Sequence, residues 1–411
     1  MLRSIAAAYR DAFSGLSRPV WLLSIATLIN RSGTMVLPFL ALFLTQKRGF
    51  TIPQAGQALA LYGLGAVAAS YAGGRLSDRF DPRRVMKWSL ALTGASFLLL
   101  GHIHGHAAIL STILVLSFIG ETFRPANMSA LTMASDAGER ARSFALMRLA
   151  VNLGMTLGPT VGGFLALHDY GWLFVADGAT CLCAAGLLHV VFPHSVLRDT
   201  PRAAHAGTKT PIRSPWRDRP LLAILGLMFL LNTVTFQVVG TFPLTLRDLY
   251  GFSEARIGLA MAVNTLIIVL FEMVLVHSLS GRDPLKVSGV GAFLFCGGLA
   301  LLPLGSGFGY VVLTVVVWTV GEMLTFPIVA SAVAERAPEE SRGATMGLLN
   351  LSFATGFVVA PLVGTWVYQN LGPRALWYGC GIVGLLVWVG FHAVAVATAR
   401  AARLPQEEIV L

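Results

Sequence analysis

Twelve runs of mostly apolar residues, each about 20 residues long, follow one another along this 411-residue chain. A helix of about 20 residues crosses the hydrocarbon core of a bilayer, and a helix satisfies its own backbone hydrogen bonds there. With 55% hydrophobic and 12% charged residues, the composition agrees with a membrane protein rather than a soluble one. The sequence predicts an all-α membrane protein with twelve transmembrane helices. The predicted spans 1 to 12 are 20–46, 54–76, 84–102, 108–133, 141–167, 170–192, 221–247, 256–279, 285–304, 308–334, 342–369 and 373–399.

The basic residues predict how these spans are oriented. If the N-terminus lies in the cytoplasm, the termini and the cytoplasmic loops hold 22 of the 30 Lys and Arg residues, and the outer loops hold five. Lys and Arg are retained on the cytoplasmic side of short loops. We therefore expect a multi-pass protein of a bacterial cytoplasmic membrane with both termini inside. The net charge of +10 is explained by this topology, so no nucleic acid partner is expected.

The two halves of the chain repeat each other at an offset of about 202 residues. The segment FIGETFRPANMS (118–129) returns as TVGEMLTFPIVA (319–330), and SDRFDPRRV (77–85) returns as SGRDPLKV (280–287). Two further segments match at the same offset. The repeat predicts two parallel six-helix halves with a central cavity at their interface, an arrangement suited to transport by alternating access. The predicted domains are 1–192, a cytoplasmic linker 193–220, and 221–411.

Four acidic residues within the predicted spans are candidates for proton coupling, because a charge at membrane depth is costly and usually serves a function. They are Glu322, Glu121, Asp177 and Glu272. Glu121 and Glu322 lie near the middle of spans 4 and 10. Glu322 has no basic residue within four positions, so it needs a proton, a cross-helix Arg such as Arg31, or water. It is the favoured protonation site from the sequence, ahead of Glu121.

Polar residues at similar depths are candidates for a substrate cavity: Arg31, Arg124, Asn152, Asn30 and Gln237. Arg124 follows Glu121 by three positions, so the two side chains can share a helix face and neutralise each other in one state of a transport cycle. A fixed ion pair without a role in turnover is the alternative. Interhelical hydrogen bonding equally explains each of the amides.

The loop after span 2, GRLSDRFDPRR (74–84), resembles the Gly-x-x-x-Asp-Arg-x-Gly-Arg-Arg loop of the major facilitator superfamily. Together with the twelve spans in two halves, this resemblance covers essentially the whole chain. It implies that Asp78, Arg79 and Arg83 gate the transport cycle by latching one conformation. Asp81 and Pro82 replace the usual glycine and are expected to alter the turn.

Span 5 contains GMTLGPTVGG (154–163), which resembles the Gly-x-x-x-Gly-Pro-x-x-Gly-Gly motif of drug:proton antiporters in this superfamily. Small residues four apart allow two helices to approach closely, and proline removes one backbone hydrogen bond. The gating candidates here are Gly154, Gly158, Pro159 and Gly162. Tight packing without gating is the alternative.

Two observations weaken the assignment to the antiporters. The Arg that commonly precedes the span 4 glycine by four residues in those proteins is Leu116 here. In addition, Gly321-Glu322 in span 10 and VNLG (151–154) in span 5 resemble stretches of proton-coupled oligopeptide transporters. The first span, TLINRSG (27–33), has Arg31 but lacks the acidic residue of that group.

No segment resembles a nucleotide-binding loop, a catalytic triad or a metal cluster, so we expect a transporter without cofactor rather than an enzyme. The favoured function is proton-coupled efflux of small amphipathic compounds. Its partners would be the substrate, protons and the lipid bilayer, and a monomer is expected. Alternatives are a proton-coupled importer of peptides or other small metabolites, a transporter of lipid-linked substrates, and a membrane sensor or scaffold.

Overall fold

The computed structural model describes residues 15–135, 139–190, 218–279, 281–337 and 342–401, and these residues form helices joined by short turns. Most of the predicted linker, 193–217, lies outside the described residues. The helices are Arg18–Ser32, Val36–Lys47, Ile52–Arg79, Pro82–His102, His106–Glu121, Phe123–Ala134, Arg140–His168, Gly171–Val190, Arg219–Thr235, Gln237–Gly240, Phe242–Asp248, Glu254–Ser278, Pro284–Ala300, Phe308–Arg336, Arg342–Leu371 and Pro373–Ala401, with one 3-10 turn at Leu302–Leu304.

The predicted all-α membrane fold is confirmed. Each of the twelve apolar runs is helical, and ten helical segments of the described chain are long and apolar enough to cross a membrane. Spans 2 and 3, Ile52–Arg79 and Pro82–His102, are not among those ten, although they have 28 and 21 residues. Their glycine, serine and basic residues lower their apolar content. That these two helices also cross the membrane, which would give twelve crossings, therefore stays a prediction.

Span 1 is interrupted after Ser32, which the apolar pattern did not indicate. Spans 4 and 7 are only locally distorted, at Thr122 and at Phe236 and Thr241, because the backbone at these residues stays near the right-handed helical region. A break leaves backbone N–H and C=O groups without their helical partners. Within a bilayer such groups need partners from the protein, and discontinuous helices commonly mark the binding sites of transporters.

The described residues pack as two compact units. The first contains the described residues up to 190 together with Leu246–Val269, and the second contains residues 218–245 and those from 270 onwards. The segment from 246 to 269 thus packs with the first unit, although it belongs to the second predicted half. The predicted boundaries 1–192 and 221–411 rest on duplicated sequence and stay a prediction.

Corresponding loops of the repeat have the same local structure. The Asp81 carboxylate accepts a hydrogen bond from the backbone N–H of Arg83 at 2.9 Å. The Asp283 carboxylate accepts one from Leu285 N–H at 3.0 Å. Each aspartate is therefore the N-cap of a helix that begins with proline, a favourable helix start. The Asp-Pro pair that departs from the superfamily loop thus serves to begin span 3.

Contacts among the turns show that the spans of the first unit alternate in direction. The Arg48 guanidinium donates to the carbonyl of Gly101 at 2.7 Å, and the rings of Phe50 and His106 are stacked. These contacts join the turn after span 1 to the turn after span 3. At the opposite ends of the helices, the Ser17 hydroxyl donates to the carbonyl of Ala134 at 3.0 Å.

Candidate functional site

The break in span 1 is held by a carboxylate from span 6. The Asp177 oxygens accept hydrogen bonds from the backbone N–H groups of Met35 and Val36, each at 3.0 Å, and the side chain is buried. A methyl group added at Gly33 would lie 1.8 Å from the Thr180 hydroxyl, so this close approach requires glycine. Asp177, predicted as a proton-coupling residue, thus caps the second half of span 1.

We expect Asp177→Asn to lower the free energy of unfolding by about 1–2 kcal/mol, because an amide oxygen can satisfy only one of the two N–H groups. Proton-driven transport should persist. Thermal unfolding in detergent and transport in liposomes measure the two effects. Asp169→Asn, which changes the exposed carboxylate that accepts from Gly171 N–H, is the matched control. Lost transport with unchanged stability would instead make Asp177 a proton site.

A cavity of about 130 Å³ lies beside this break, inside the first unit. Its lining is mostly apolar and includes seven polar side chains: Asn30, Arg31, Thr34, Tyr62, Thr93, Glu121 and Asp177. Four of the seven, Asn30, Arg31, Glu121 and Asp177, were predicted as site residues from the sequence. The structure therefore brings together two proton-coupling candidates and two substrate-cavity candidates.

Glu121 has the carboxylate with the fewest protein contacts in this cavity. Its Oε1 accepts a hydrogen bond from the Tyr62 hydroxyl at 3.2 Å, and the residue is half-buried at the end of a helix. A carboxylate can accept about four hydrogen bonds. Among the residues that the structure describes, Glu121 accepts one hydrogen bond and leaves Oε2 without a donor, whereas both Asp177 oxygens accept one. Glu121 therefore keeps more acceptor capacity for a proton, a water or a substrate group.

Arg31 brings a positive charge into the same cavity without an ion pair. Within the described part of the chain, its side chain lies more than 4.0 Å from the oxygens of Glu121 and Asp177, and its buried Nε makes no hydrogen bond. A desolvated cation without a partner is costly. The guanidinium is therefore available to an anionic group or to a rearranged Glu121.

Glu121 and Arg124 do not form an ion pair in this structure: Glu121 lines the cavity, whereas Arg124 is exposed. Their pairing in another state of a transport cycle stays a prediction. Asn152 lies half-buried on span 5, outside the cavity lining.

Three glycines of span 5, which we call the glycine stripe, pack directly on span 1 at its break. They are Gly154, Gly158 and Gly162. An added methyl group would lie 2.5 Å from Arg31 Cβ at the first, 2.8 Å from the Thr34 carbonyl oxygen at the second and 2.9 Å from Met35 Cβ at the third. The stripe thus lets span 5 lie against the segment that carries the cavity residues.

The other side of the span 5 motif packs on the start of span 8. A methyl group added at Gly163 would lie 2.5 Å from the carbonyl oxygen of Glu254, and one added at Gly258 would lie 2.2 Å from that of Pro159. Span 5 is therefore enclosed between span 1 and Leu246–Val269 within the first unit. Pro159 has no N–H, so the carbonyl of Met155, a cavity residue, lacks its usual helical donor.

A polar network joins the same elements at the end of the helices predicted to face outwards. The Tyr170 hydroxyl lies 2.9 Å from Glu254 Oε1 and 3.2 Å from Gln46 Oε1, and Glu254 also forms an ion pair with Arg247. The sequence did not indicate this network, whose residues lie at the predicted outer ends of spans 1, 6 and 7 and in the turn before span 8.

Tyr170→Phe is expected to lower the free energy of unfolding by about 1–3 kcal/mol, because it removes one of the two donors, Tyr170 and Arg247, to the buried Glu254 carboxylate. Substrate exchange should become faster if this network holds the predicted outer ends together. Thermal unfolding and exchange rates test both effects, and Tyr378→Phe on an exposed surface is the control. Unchanged stability and exchange would show that the hydrogen bond is unimportant.

The second unit contains the remaining candidates. Gln237 is buried in span 7, where its side-chain amide donates to the carbonyl of Ala360 at 2.7 Å and accepts from the Thr241 hydroxyl at 3.0 Å. It thus joins span 7 to span 11. Glu322 is half-buried in the middle of Phe308–Arg336, and Glu272 is buried.

The loop between spans 2 and 3 holds the remaining gating candidates. Arg79 is exposed and its guanidinium lies 5.9 Å from the ring centre of Phe80, whereas Arg83 is buried. The side chain of Asp78 lies outside the described residues. The latch predicted for this loop therefore stays a prediction.

A discontinuous helix beside an internal cavity with charged side chains, within a bundle of apolar helices, is typical of membrane transporters. The family model of the Major Facilitator Superfamily matches residues 21–355 and 324–409. The chain belongs to the Major Facilitator Superfamily, as the sequence predicted, and it is a transporter rather than an enzyme.

Relatives with similar sequences are bacterial. Multidrug resistance protein MdtH of Aeromonas salmonicida is 22% identical over 375 residues, covering 89% of this chain and 92% of the relative. A Na(+), Li(+), K(+)/H(+) antiporter of Planococcus maritimus is 23% identical, with 86% and 88% covered. The uncharacterized MFS-type transporter YttB of Bacillus subtilis is also 23% identical, with 88% and 91% covered.

Solved structures agree in fold. A crystal structure of peptide transporter POT in complex with sulfate has a TM-score of 0.78 at 16% identity, covering 94% of this chain and 96% of that one. The nucleoside transporter NupG has a TM-score of 0.74 at 15% identity, with 95% and 100% covered. At these identities the match concerns the fold alone.

Proposed function

We propose that this protein is a proton-coupled transporter that exports small amphipathic compounds across a bacterial cytoplasmic membrane. The observation that carries the proposal is the cavity of the first unit. Glu121 and Arg31 line this cavity beside the break in span 1, and the glycine stripe packs on the same break. The names of two relatives, a multidrug resistance protein and a cation/proton antiporter, support export in exchange for protons. We propose that the protein acts as a monomer, with protons, the substrate and the bilayer as its partners.

The packing of span 5 suggests how the cavity is gated. Without side chains on the stripe, span 5 can shift along span 1, and the missing hydrogen bond at Pro159 allows the helix to bend at the level of the cavity. Two closely packed helices such as spans 1 and 5 tend to adopt a few distinct packing arrangements rather than to slide continuously. Gly154, Gly158, Pro159 and Gly162 are therefore proposed as gating residues, with Asp78, Arg79 and Arg83 as a second gate.

Glu121 is proposed as a proton-coupling residue because it can exchange partners. In one state its carboxylate accepts from Tyr62, and in another it can bind a proton, Arg31 or a cationic group of the substrate. If a proton and a cationic substrate compete for Glu121, each exit of substrate accompanies entry of a proton. By linkage, each ligand then weakens the binding of the other by the same factor.

Import is the second candidate, and Arg31 is the observation that favours it. An unpaired guanidinium binds an anionic group well, and protonating Glu121 removes the competing negative charge. Proton and anionic substrate then bind together and move in the same direction. A peptide or another small metabolite with a carboxylate fits this scheme.

Transport by the full-length protein in proteoliposomes distinguishes the two candidates. With an acidic lumen, an exporter that exchanges substrate for protons should accumulate an amphipathic dye cation such as ethidium. With an alkaline lumen, an importer should accumulate a dipeptide instead. Uptake of both probes that does not depend on the pH gradient would contradict proton coupling.

We further propose that both termini and the segment 193–220 lie in the cytoplasm. A single cysteine introduced at Ser214 in a chain without other reactive thiols should react with an impermeant reagent only after the cells are permeabilised. Rapid labelling of intact cells would reverse the orientation of every span.

A further inference from the structure

A second concave site, which we call the span 2–4 groove, lies on the surface of the first unit. It has a volume of about 360 Å³, within the range of roughly 300–1,000 Å³ seen for small-molecule sites. It is formed by the end of span 2, the start of span 3 and residues 118–122 of span 4. The side chains that define it are Leu76, Phe80, Arg84, Trp88, Leu92 and Phe118.

The interior of the groove offers almost no free polar group. The Ser89 hydroxyl donates to the carbonyl of Ile119 at 2.6 Å, and the Thr122 hydroxyl donates to that of Phe118 at 2.8 Å. The large apolar side chains remain uncovered, and Trp88 is 58% exposed. The groove therefore suits an alkyl chain and offers little to a polar ligand.

One end of the groove is basic. Arg84 lines it and is exposed, and the Lys87 ammonium lies 5.8 Å from the ring centre of Trp88. Residues 75–88 contain five basic residues and two aspartates, and the Asp81 carboxylate already caps span 3. His189 also faces this region, with Nδ1 3.5 Å from the Lys87 nitrogen.

We propose that the span 2–4 groove binds an anionic phospholipid, with the phosphate at Arg84 and Lys87 and an acyl chain over Trp88 and Leu92. Eight residues of helix separate Arg84 from Leu92, about 12 Å along span 3, so the site runs from the end of the span into its membrane-spanning part. Trp88 lies between the basic and apolar ends, as tryptophan commonly does at the edge of a membrane. Because surrounding lipid tails are equally apolar, preference for one lipid comes from the charge.

Quenching of Trp88 fluorescence by lipids with brominated acyl chains tests the proposal. The full-length protein is placed in nanodiscs of phosphatidylcholine that contain increasing fractions of brominated phosphatidylglycerol or brominated phosphatidylcholine. The Trp88 contribution is the difference between the wild type and Trp88→Phe. We expect phosphatidylglycerol to quench Trp88 at a several-fold lower mole fraction than phosphatidylcholine does.

Substitution of Arg84 identifies the source of this preference. Arg84→Gln should reduce the preference for phosphatidylglycerol about fivefold, while Arg84→Lys should largely keep it. Arg282→Gln removes one positive charge from the corresponding loop of the second repeat, and it should not change the lipid preference measured by the quenching of Trp88. Equal quenching by the two lipids in the wild type, or an unchanged preference in Arg84→Gln, would overturn the proposal. Loss of quenching on adding inorganic phosphate would identify a phosphate site without lipid selectivity and would also overturn it.

Discussion

Gly158→Leu is expected to insert normally in the membrane but to slow transport about 5- to 150-fold, the range that corresponds to overpacking by about 1–3 kcal/mol. A methyl group at this position would already lie 2.8 Å from the Thr34 carbonyl oxygen, which belongs to the backbone and cannot turn away. The larger side chain therefore disfavours the packing in which span 5 lies against the break of span 1. No polar group of the cavity is removed.

The effect of Gly158→Leu is measured as initial rates in proteoliposomes at equal protein density. Gly186→Leu is the matched control, because a methyl group there meets no atom within 4 Å and span 6 should tolerate it. Wild-type rates for Gly158→Leu would show that the glycine stripe packs without gating. Equal losses in both variants would indicate a general effect of leucine on the bundle.

The glycine stripe was predictable because its signal is local. Small residues four apart identify a close helix contact whatever the partner is, and the structure places three of the four predicted span 5 residues on span 1. The partner itself was not predictable. That span 5 also packs on Leu246–Val269 depends on residues nearly 100 positions away, which no spacing within span 5 encodes.

The break in span 1 could not be read from the apolar runs. Gly33 lies at this break, but glycine is common in membrane helices, and the group that stabilises the break is Asp177, 142 residues from Met35. The interaction of Tyr62 with Glu121 likewise spans 59 residues. The sequence indicated which residues are costly to bury, whereas their partners depend on tertiary packing.

The spacing of Glu121 and Arg124 does not by itself say whether their side chains meet. Residues three apart can share a helix face, yet in this structure Arg124 is exposed while Glu121 lines the cavity. In this structure the Tyr62 hydroxyl donates a hydrogen bond to the Glu121 carboxylate, and Arg31 from span 1 is the cation that lines the same cavity.

Glu121→Gln is therefore expected to abolish substrate accumulation driven by a pH gradient while preserving exchange at equal pH. Glutamine keeps the volume of the side chain, and its oxygen can still accept from Tyr62, but it cannot bind and release a proton. The variant resembles a permanently protonated glutamate. Accumulation should fall to the level of passive equilibration, because substrate can still cross but no proton movement is coupled to it.

The matched control is Tyr62→Phe, which removes the hydroxyl that contacts Glu121 but leaves the carboxylate able to titrate. It should still accumulate substrate, with a shifted pH dependence of transport. Glu322→Gln, measured in parallel, tests the second midplane glutamate in the same way. If Glu121→Gln accumulates substrate like the wild type and Glu322→Gln does not, the proton is carried in the second unit, and the cavity of the first unit serves the substrate alone.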